Sequence, residues 1–395
     1  MRVLHVYRTY FPGEPGGLQE AIRQIALSTS AFGVQSRIFT LAGNPRPQHL
    51  KRPEGEVFRC KSWAAPASCD IGDLGAVRRF RELTAWADLV HYYFPWPFMD
   101  LLRLAAGHDK PAIMTYVSDI VRQRALAWLY QPLMWRTLRG MDAVVTVAPR
   151  YAETSPILQR LDKDKLRLIP LGISEESVRE AVALSLQSDI VDKVQHELAR
   201  RSFNVAEGRP APTPFFLSLG VLRYYKGLDF LIRASALSGL PTVIAGDGPQ
   251  RRRLERFACR IGAPVLFLGR VTDAEKLALL RECTALVMPS HLRSEAFGMA
   301  LVEASMMSKA MISCEIGTGT SYVNLHQQTG LVVPPEDSDA LADAMQVLNA
   351  EVALRDYFGA NARARYLSLF SGAALGKAYS QLYASVVDDR RPITI

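Results

Sequence analysis

Short apolar segments alternate with helical patterns twice along this chain of 395 residues. The first segment, Met1–Tyr7, leads into a Pro/Gly loop, and apolar residues then recur at helical spacing from Leu18 to Ala26. Strands that alternate with helices in this way predict a parallel sheet covered by helices on both faces. A long helix is predicted from about Ile120 to Leu138. The other strands predicted in this series are Gln35–Leu41, Leu89–Tyr92, Ala112–Tyr116, Ala143–Val147 and Leu166–Pro170.

A second series of the same kind begins at Phe215, so the pattern indicates two doubly wound sheets. A length of 395 residues also exceeds what one hydrophobic core usually supports. We therefore predict an α/β fold with a first domain over residues 1–172 and a second over residues 215–372. Residues 173–214 are predicted to form an interdomain linker with a helical segment. The strands predicted in the second series are Phe215–Leu219, Thr242–Ala245, Val265–Leu268, Ala285–Met288 and Ala310–Ser313.

Composition restricts the class of partner and the compartment without identifying either. Hydrophobic residues make up 49% and charged residues 22% of the chain, as in soluble globular proteins. The net charge of +8 suits anionic partners, such as a nucleotide diphosphate, a phospholipid surface or a nucleic acid. The five cysteines form no C-x-x-C pair, so we expect no metal cluster or disulfide framework, and a cytoplasmic location. Without a signal peptide or a run of about 18 apolar residues, contact with the inner face of the cytoplasmic membrane is expected to be peripheral.

Ligands of open α/β sheets bind outside the carboxyl ends of the strands, and several loops at such positions are candidates. Gly16-Gly17 follows the first strand; paired glycines let a ligand approach the backbone, although a structural turn explains them equally well. The loop after Phe215–Leu219 contains Arg223 and Lys226. These cations suit a diphosphate, because arginine offers a fork of donors and lysine a point charge. Two solvated surface cations are the alternative interpretation.

The segment Glu295–Gly298 (EAFG) and a second acid, Glu303, form the most informative pattern. Gly298 precedes an apolar helical pattern, so backbone N–H groups at that helix start can face a phosphate. Glu303 lies on the same helix, about 12 Å further along its axis than Glu295. The two carboxylates therefore suit opposite ends of an elongated ligand, such as a sugar hydroxyl and a ribose. The alternative is that Glu295 caps the helix and Glu303 lies on its surface. The polar, glycine-rich segment Gly317–Tyr322 is a further candidate loop that could reach the same ligand, and an ordinary surface loop is its alternative.

Together these segments resemble glycosyltransferase family 4, whose members have the two-domain GT-B fold. The resemblance covers nearly the whole chain and depends most on the glutamate pair. It implies a nucleotide-sugar donor on the second domain, an acceptor on the first, a cleft between them, and a C-terminal helix, about residues 373–395, that completes the first domain. It also implies that the anomeric configuration is retained and that neither a metal nor another cofactor is needed. The segments that carry the resemblance are Gly16-Gly17, Arg223–Gly227, Gly246–Pro249, Leu268–Arg270, Ser294–Gly298 with Glu303, and Thr329–Pro334.

The resemblance also implies roles for individual residues. Glu303 would hold the ribose hydroxyls, and Glu295 would bind the hydroxyls of the sugar ring. Arg223 and Lys226 would neutralise the diphosphate, which is the leaving group, and Gly17 would approach it. The catalytic residues implied are Glu295, Asp119, Arg223 and Lys226. The donor-binding residues implied are Gly16, Gly17, Val117, Arg223, Lys226, Gly246, Arg270, Val271, Ser294, Phe297, Gly298, Met299 and Glu303.

Within the family, the sequence is similar to bacterial mannosyl- and rhamnosyltransferases of surface polysaccharide assembly. The segments Tyr116–Gln123, His91–Pro97 and Gly319–Asn324 carry this likeness. It implies a GDP-linked mannose or rhamnose donor and a lipid-linked saccharide acceptor, as in O-antigen assembly. A UDP- or dTDP-linked donor and a catalytically inactive nucleotide-binding relative are the alternatives. A nucleic-acid partner is not expected, because no recognisable module is present and the arginines are dispersed.

Two positions depart from the family pattern. The family usually has an arginine where this chain has Val221, which leaves Arg223 as the substitute. The family's histidine that contacts the 6-hydroxyl of the donor sugar aligns with Val117. Valine donates no hydrogen bond, and an unpaired buried hydroxyl costs about 1–3 kcal/mol, whereas a buried methyl group contributes about 0.8 kcal/mol. This suggests a 6-deoxyhexose donor such as GDP-D-rhamnose rather than GDP-mannose; neutral drift or an engineered change is the alternative.

Peripheral contact with an anionic membrane is a further hypothesis, because lipid-linked acceptors would bring the enzyme to a bilayer. The basic segment Arg78–Arg81 and the aromatics Phe94, Trp96 and Phe98, taken as exposed, would suit such a surface. A solvated basic face and ordinary core aromatics are the alternative interpretation.

Overall fold

The computed structural model describes residues 1–13, 16–66, 69–107, 109–119, 124–201 and 213–390. Contacts within the chain group it into two compact units. The first unit comprises Met1–Ser174 and the C-terminal residues from Phe370 onward, and the second comprises Glu175–Leu369. None of the helices in the described ranges combines the length and the apolar character needed to cross a bilayer.

The first unit contains a nine-stranded sheet, counted over the described residues. Its strands are β1 (Arg2–Val6), β2 (Gln35–Ala42), β3 (His49–Arg52), β4 (Gly55–Ala64), β5 (Ile71–Gly72), β6 (Leu89–Phe94), β7 (Ala112–Tyr116), β8 (Ala143–Thr146) and β9 (Leu166–Leu168). Its helices are α1 (Gly17–Ser30), α2 (Leu74–Trp86), α3 (Pro97–Ala106), α4 (Arg124–Arg139), α5 (Pro149–Thr154) and α15 (Gly372–Asp389). The strand order is β3-β4-β2-β1-β6-β7-β8-β9, with β5 paired to β4. The sheet is parallel except where β3 and β5 meet β4.

The strands predicted in the first series are all present, as β1, β2, β6, β7, β8 and β9. Strands β3, β4 and β5 were not predicted, because polar and charged residues interrupt their apolar pattern. β4 alternates buried with part-exposed positions, and β3 has only exposed and part-exposed ones. The described part of the long helix begins at Arg124, and the first predicted residues, Ile120–Gln123, lie outside the described residues.

The second unit contains a six-stranded sheet that is parallel throughout the described residues. Its strands are β10 (Phe216–Leu219), β11 (Thr242–Ala245), β12 (Val265–Gly269), β13 (Leu286–Met288), β14 (Met311–Cys314) and β15 (Gly330–Val333). Its helices are α6 (Glu175–Ser185), α7 (Ile190–Arg201), α8 (Leu228–Ser238), α9 (Arg251–Arg260), α10 (Asp273–Glu282), α11 (Met299–Met306), α12 (Thr320–Val323), α13 (Ser338–Ala350) and α14 (Val352–Arg365). The strand order is β12-β11-β10-β13-β14-β15. The predicted strands are confirmed, and β15 is an addition.

The segment predicted as a linker contains two helices that pack onto the second unit. Helices α6 and α7 both lie against α10. The guanidinium of Arg281 on α10 donates to the Ser185 hydroxyl at 3.2 Å and to the Ser185 carbonyl oxygen at 3.4 Å. The N-terminal segment of the first unit therefore ends at Ser174, close to the predicted residue 172, but residues 175–201 belong to the second unit. The rest of the predicted linker, residues 202–212, lies outside the described residues.

The C-terminal helix α15 packs onto the first unit against α1. At Gly376, on the side of α15 that meets α1, an added Cβ would overlap the carbonyl oxygen of Ser28. The two backbones therefore approach closely enough that only glycine fits. The predicted last residues of this helix, 391–395, lie outside the described residues.

A buried polar network joins α15 to the centre of the first sheet. The ring of His91 on β6 lies between the Tyr383 hydroxyl, 2.8 Å from Nδ1, and the Thr115 hydroxyl, 2.7 Å from Nε2. On β1, His5 lies in the same buried layer, with its ring centroid 5.4 Å from that of His91. Burial lowers the pKa of His5 to about 3 and holds the pKa of His91 well below its ordinary 6.5. Both imidazoles are therefore neutral hydrogen-bonding groups in the folded protein.

We predict that the first unit loses stability as the pH falls from about 6.5 to 5. The unfolded chain protonates each histidine near pH 6.5, whereas the folded pKa values are lower, so acid favours the unfolded state by up to about 1.4 kcal/mol per pH unit for each histidine. All five tryptophans lie in the first unit, so their fluorescence reports its unfolding. His5→Asn should reduce the pH slope by about one proton, whereas His196→Asn, at an exposed site on α7, should not. Equal slopes for wild type and His5→Asn would contradict the neutral, buried assignment.

Candidate functional site

The strand order of each sheet reverses at one point. In the second sheet, β10, β11 and β12 extend in one direction and β13, β14 and β15 in the other. The loops that follow β10 and β13 therefore leave toward opposite faces and open a crevice beyond the carboxyl ends of these two strands. In the first sheet the corresponding point lies between β1 and β6. These two places are where ligands of doubly wound sheets bind.

Glycines pack the loops after β10, β11 and β12 against one another. Gly246 has a φ of +144°, and an added Cβ would overlap the carbonyl oxygen of Gly220. Its N–H donates to the carbonyl oxygen of Gly269 at 2.7 Å. At Gly248, an added Cβ would lie 2.6 Å from the carbonyl oxygen of Leu222. The predicted site residue Gly246 therefore lets three loops meet backbone to backbone at the carboxyl edge of the sheet.

The loop after β10 brings Lys226 to Glu295, which follows β13. The two side chains form an ion pair and are only 15% and 12% exposed. The Ser290 hydroxyl, also beyond β13, donates to the same Glu295 oxygen at 3.1 Å. Gly227, at φ +64°, ends the lysine turn, and an added Cβ would overlap the carbonyl oxygen of Pro289. The structure thus joins two residues that the sequence placed in separate loops, and adds Ser290.

The ammonium group of Lys226 stays charged in this setting. Burial acts to lower the pKa of Lys226, but the Glu295 carboxylate and then Tyr225 offset this, so the pKa lies above its ordinary value of 10.5. The ammonium nitrogen is 5.7 Å from the centroid of the Tyr225 ring. A permanently charged and mostly dehydrated cation interacts strongly with an anion that reaches it.

The other predicted phosphate ligand, Arg223, is exposed at the start of the same turn. It is close enough for its charge to oppose protonation of Lys226. Val221, at the position where the family resemblance implies an arginine, is half exposed. The structure therefore places one buried cation and one exposed cation on the loop after β10.

The EAFG segment is anchored by its phenylalanine. Phe297 is buried, and the loop after β14 packs on it closely enough that a Cβ on Gly319 would lie 2.5 Å from the Phe297 ring. The N–H of Gly319 donates to the carbonyl oxygen of Ala296 at 2.8 Å. Gly298, at φ +88°, then begins α11. Ser294 and Met299, on either side of this anchor, are part-buried.

The second glutamate of the pair, Glu303, contacts a lysine that sequence reasoning missed. Nζ of Lys276 on α10 lies 2.6 Å from Oε1 of Glu303 and 2.9 Å from Oδ1 of Asp273. On a surface helix, a lysine with this spacing is typical of a solvated face, so no sequence pattern identified it. The structure shows that each carboxylate of the glutamate pair is held by a lysine.

Two other predicted donor-binding residues follow β12. Arg270 extends into solvent, with Nε 3.9 Å from a carboxylate oxygen of Asp247. Val271 is part-buried just before α10, whose first turn is closed by a reciprocal cap between Thr272 and Glu275. These residues border the same carboxyl edge as Gly246.

In the first unit, predicted site residues lie at the carboxyl ends of β1 and β7. Helix α1 begins at Gly17, where an added Cβ would meet no described atom within 4 Å. Packing within the described chain therefore does not require glycine at this position. At Gly16 an added Cβ would lie 2.5 Å from Oε1 of Gln19. Val117 is part-buried in the segment that follows β7.

The Asp119 carboxylate is surrounded by hydroxyl donors. The Tyr116 hydroxyl donates to Oδ1 of Asp119 at 2.9 Å, and the Ser155 hydroxyl donates to the same atom at 2.6 Å. The Asp119 N–H donates to the Tyr151 hydroxyl at 2.7 Å. Burial and then the nearby Asp119 charge raise the pKa of Tyr116, which keeps its hydroxyl a donor. Asp119 is therefore a fixed acceptor at the end of β7.

The aromatic part of the membrane hypothesis is wrong. Phe94 and Trp96 are fully buried, and Phe98 is nearly so. Trp96 tolerates burial because its indole N–H donates to the carbonyl oxygen of Asp70 at 2.8 Å. Within the basic segment, Arg78, Arg79 and Arg81 are exposed on α2, while Phe80 is buried. Exposed apolar side chains lie elsewhere on this unit.

Comparison with known proteins identifies the class. Residues 200–365 match the family described as glycosyl transferases group 1, and residues 16–172 match the glycosyl transferase 4-like domain. The chain belongs to this family and is a glycosyltransferase. It is 41% identical over 372 residues to the D-rhamnosyltransferase WbpZ of Pseudomonas aeruginosa, covering 94% of this chain and 92% of that protein. It is 36% identical over 392 residues to the O-antigen chain mannosyltransferase C of Escherichia coli, covering 99% and 100%.

Solved structures with the same fold confirm the predicted fold class, the GT-B type with two doubly wound parallel sheets. The sucrose-phosphate synthase of Thermosynechococcus elongatus has a TM-score of 0.74 at 22% identity and covers 98% of this chain. Anabaena Alr3699/HepE, solved in complex with UDP-glucose, has a TM-score of 0.74 at 17% identity and also covers 98% of this chain. At these identities the likeness concerns the fold.

We predict that Glu295→Gln separates nucleotide affinity from turnover. The carboxamide no longer neutralises Lys226, so GDP or UDP should bind several-fold more tightly, whereas sugar transfer should fall about 100-fold because a charged hydrogen-bond acceptor is lost. Calorimetry and a product assay measure the two effects. Glu282→Gln, at an exposed ion pair on α10, is the control and should change neither. Near-normal turnover in Glu295→Gln would refute a catalytic role for this carboxylate.

Proposed function

We propose that this protein is a retaining, metal-independent glycosyltransferase that moves mannose or D-rhamnose from a GDP-sugar to a lipid-linked saccharide acceptor during O-antigen assembly. The observation that carries the proposal is the Lys226–Glu295 pair beyond the carboxyl ends of β10 and β13. This pair combines a cation suited to a diphosphate with a carboxylate suited to sugar hydroxyls, at the usual ligand position of such a sheet, and so supports the proposal. The similarity to a D-rhamnosyltransferase and to an O-antigen mannosyltransferase supports the sugar and the pathway class.

The proposed reaction depends on an exchange of partners by Lys226. When the donor binds, the diphosphate replaces Glu295 at the ammonium group, and Arg223 adds a second cation from the same loop. Glu295 is then free to accept hydrogen bonds from the sugar hydroxyls and so to orient the ring. Charge on the departing diphosphate is the main feature to be stabilised in the transition state.

In the transfer step, the bond from the anomeric carbon to the diphosphate breaks as the acceptor oxygen bonds to the same carbon. The acceptor attacks from the face that the diphosphate leaves, so the configuration is kept without a covalent enzyme intermediate. The proton of the acceptor hydroxyl passes to the departing phosphate oxygen. Asp119, already an acceptor for two hydroxyls, is proposed to interact with a saccharide hydroxyl in the first unit.

The choice of D-rhamnose over mannose rests on Val117. The family resemblance implies a histidine here that contacts the 6-hydroxyl of the donor, and valine offers no hydrogen bond in its place. A sugar with a methyl group at that carbon avoids leaving a buried hydroxyl unpaired. The similarity to a D-rhamnosyltransferase agrees with this choice, and the similarity to a mannosyltransferase keeps mannose as the competing sugar.

A UDP-linked donor is the second candidate. The observation that favours it is HepE, a protein of the same fold solved with UDP-glucose. The base is expected to contact mainly backbone near Val271, so side chains discriminate little between guanine and uracil. A nucleotide-binding relative without activity is less well supported, because Glu295, the carboxylate proposed for the sugar hydroxyls, would have no ligand to bind in it.

We propose that the first unit contacts the membrane through a surface different from the one predicted from the sequence. Trp63 is the extra residue of a β-bulge between β4 and β5 and is 77% exposed. Leu74, the first residue of α2, is 88% exposed, and Arg78 lies one turn further on. The pairing of Ser62 with Gly72 brings the end of β4 to the beginning of α2. An exposed tryptophan and leucine beside basic residues suit an anionic lipid interface.

We predict a preference for GDP-D-rhamnose over GDP-mannose of about tenfold or more in kcat/KM, from the cost of an unpaired buried hydroxyl. Val117→His should shift the preference toward mannose, because it restores a donor for the 6-hydroxyl. Val352→His, at an exposed valine of α14, is the matched control. NMR of the product tests whether the anomeric configuration is retained. The same assays in the presence of EDTA test whether the reaction is independent of metal. A clear preference of the wild type for GDP-mannose would refute the deoxy-sugar hypothesis, and activity only with UDP-sugars would refute the GDP donor.

We also predict that the wild-type protein sediments with vesicles that contain phosphatidylglycerol and that added salt weakens this binding. Replacing Trp63 and Leu74 together by serine should reduce binding several-fold without lowering stability, because both side chains are exposed. Leu186→Ser, at an exposed leucine of the second unit, should leave binding unchanged. Salt-independent binding, or none, would rule out this surface as a membrane contact.

A further inference from the structure

Lys276 holds the second glutamate of the pair from one side. Its ammonium group lies 2.6 Å from Oε1 of Glu303, and the two side chains are 23% and 19% exposed. The contact joins the second turn of α10 to the middle of α11, across 27 residues of sequence. Oε1 of Glu303 is therefore directed toward α10, and the orientation of its carboxylate is set by this bond.

Asp273 fixes the lysine itself. Oδ1 of Asp273 lies 2.9 Å from the same ammonium group, one helical turn earlier on α10. Asp273 is 74% exposed, so water would solvate it adequately without the lysine. The Glu303 side chain is only 19% exposed. The lysine therefore matters more for the orientation of Glu303 than for that of Asp273.

Lys276 keeps its charge across the accessible pH range. Burial acts to lower the pKa of Lys276, but the carboxylates of Glu303 and Asp273 raise it by more, so the pKa lies above its ordinary value. A charged donor at 2.6 Å makes a strong bond to Oε1 and is not readily exchanged for water.

We propose that Lys276 is a positioning residue for recognition of the ribose of the nucleotide. Because Lys276 binds Oε1 of Glu303, Oε2 is directed toward the ribose hydroxyls and accepts hydrogen bonds from them. This inference rests on the proposed function, in which Glu303 binds the ribose of a nucleoside diphosphate. Lys276 itself need not touch the nucleotide. The preference for a nucleotide with both ribose hydroxyls therefore depends on a residue outside the ligand contacts.

The two lysines of the site differ in what they can exchange. Among the described residues, Lys226 pairs with one carboxylate, that of Glu295, so an incoming diphosphate can compete for the hydrogen bonds that its ammonium group donates. Lys276 is shared between two carboxylates. It lies on α10, whereas the cations proposed for the diphosphate lie on the loop after β10. Replacing Lys276 is thus expected to affect the ribose end of the ligand and not the diphosphate end.

The test compares GDP with 2′,3′-dideoxy-GDP by calorimetry in the full-length protein. Lys276→Met should weaken GDP binding about tenfold or more, as expected for loss of a well-oriented charged hydrogen bond, and should leave dideoxy-GDP binding unchanged. Lys276→Arg, which keeps the charge, should restore most of the preference. KM for the donor should rise in Lys276→Met while kcat changes little. Lys193→Met, which breaks an exposed lysine–aspartate pair on α7, is the matched control.

A merely structural role would give a different pattern. It would weaken GDP and dideoxy-GDP equally, and that result would overturn the proposal, as would an unchanged preference in Lys276→Met. A double-mutant cycle with Glu303→Gln adds a second criterion, because a positioning role predicts that the two losses of ribose preference are not additive. This cycle can use Lys276→Gln, which also removes the charge, if Lys276→Met does not fold. If the wild type binds no GDP, the proposed donor fails; if it binds GDP but Lys276 variants keep the preference, only this inference fails.

Discussion

The ion pair between Lys226 and Glu295 is the interaction on which the candidate site depends. It connects the loop after β10 with the loop after β13, the two neighbouring strands between which the order of the second sheet reverses. A pair of opposite charges that is mostly dehydrated is unfavourable to leave half complete, so each side chain requires the other or an equivalent ion. A diphosphate is such an equivalent for the lysine. In the proposed function, Glu295 therefore stabilises the Lys226 cation until an anionic donor binds.

Close backbone contacts around this pair determine the positions of the two loops that carry it. Gly227 lies against Pro289, and Gly246 lies against Gly220, in both cases too closely for any side chain. These contacts fix the loops after β10, β11 and β13 relative to one another. The positive φ values of Gly227 and Gly246 add a second reason for glycine at these positions. The rigid loop framework allows a long, flexible side chain such as that of Lys226 to keep one position.

Much of the fold followed from hydrophobic periodicity. Strands buried along their whole length, such as β6 and β10, consist mainly of apolar residues, and proline or glycine follows their carboxyl ends. Strands β3, β4 and β5 lie at the margin of the first sheet, where polar residues are tolerated, and so escaped prediction. Residues 175–201 belong to the second unit because α6 and α7 contact α10, and local sequence does not encode such tertiary contacts. Phe94 and Trp96 were wrongly taken as exposed because an aromatic residue near a strand end can point to either side. Their burial shows only in tertiary contacts, the stacking of Phe94 on Tyr116 and the hydrogen bond from Trp96 to Asp70.

The sequence predicted those parts of the candidate site whose residues lie close together in the chain. The spacing of Glu295 and Glu303 on one loop and helix was readable, and so were the two cations after β10. What the sequence could not show is which lysine faces which glutamate, because both pairs join residues far apart in the chain: Lys226 with Glu295, and Lys276 with Glu303. Ser290 was likewise visible only once its hydroxyl was seen to donate to Glu295.

In the proposed function, the two lysine–glutamate pairs hold the two ends of one ligand in different ways. Among the described residues Lys226 pairs with one carboxylate, so its ammonium group can exchange Glu295 for an incoming anion. Lys276 has two carboxylate partners, so an anion would have to displace both, and Glu303 keeps its orientation. The proposed reaction needs both properties: a cation that pairs with the diphosphate once the donor binds, and a fixed acceptor that keeps the rest of the nucleotide in place. The difference lies in Asp273, an exposed carboxylate that gives Lys276 a second partner beside Glu303.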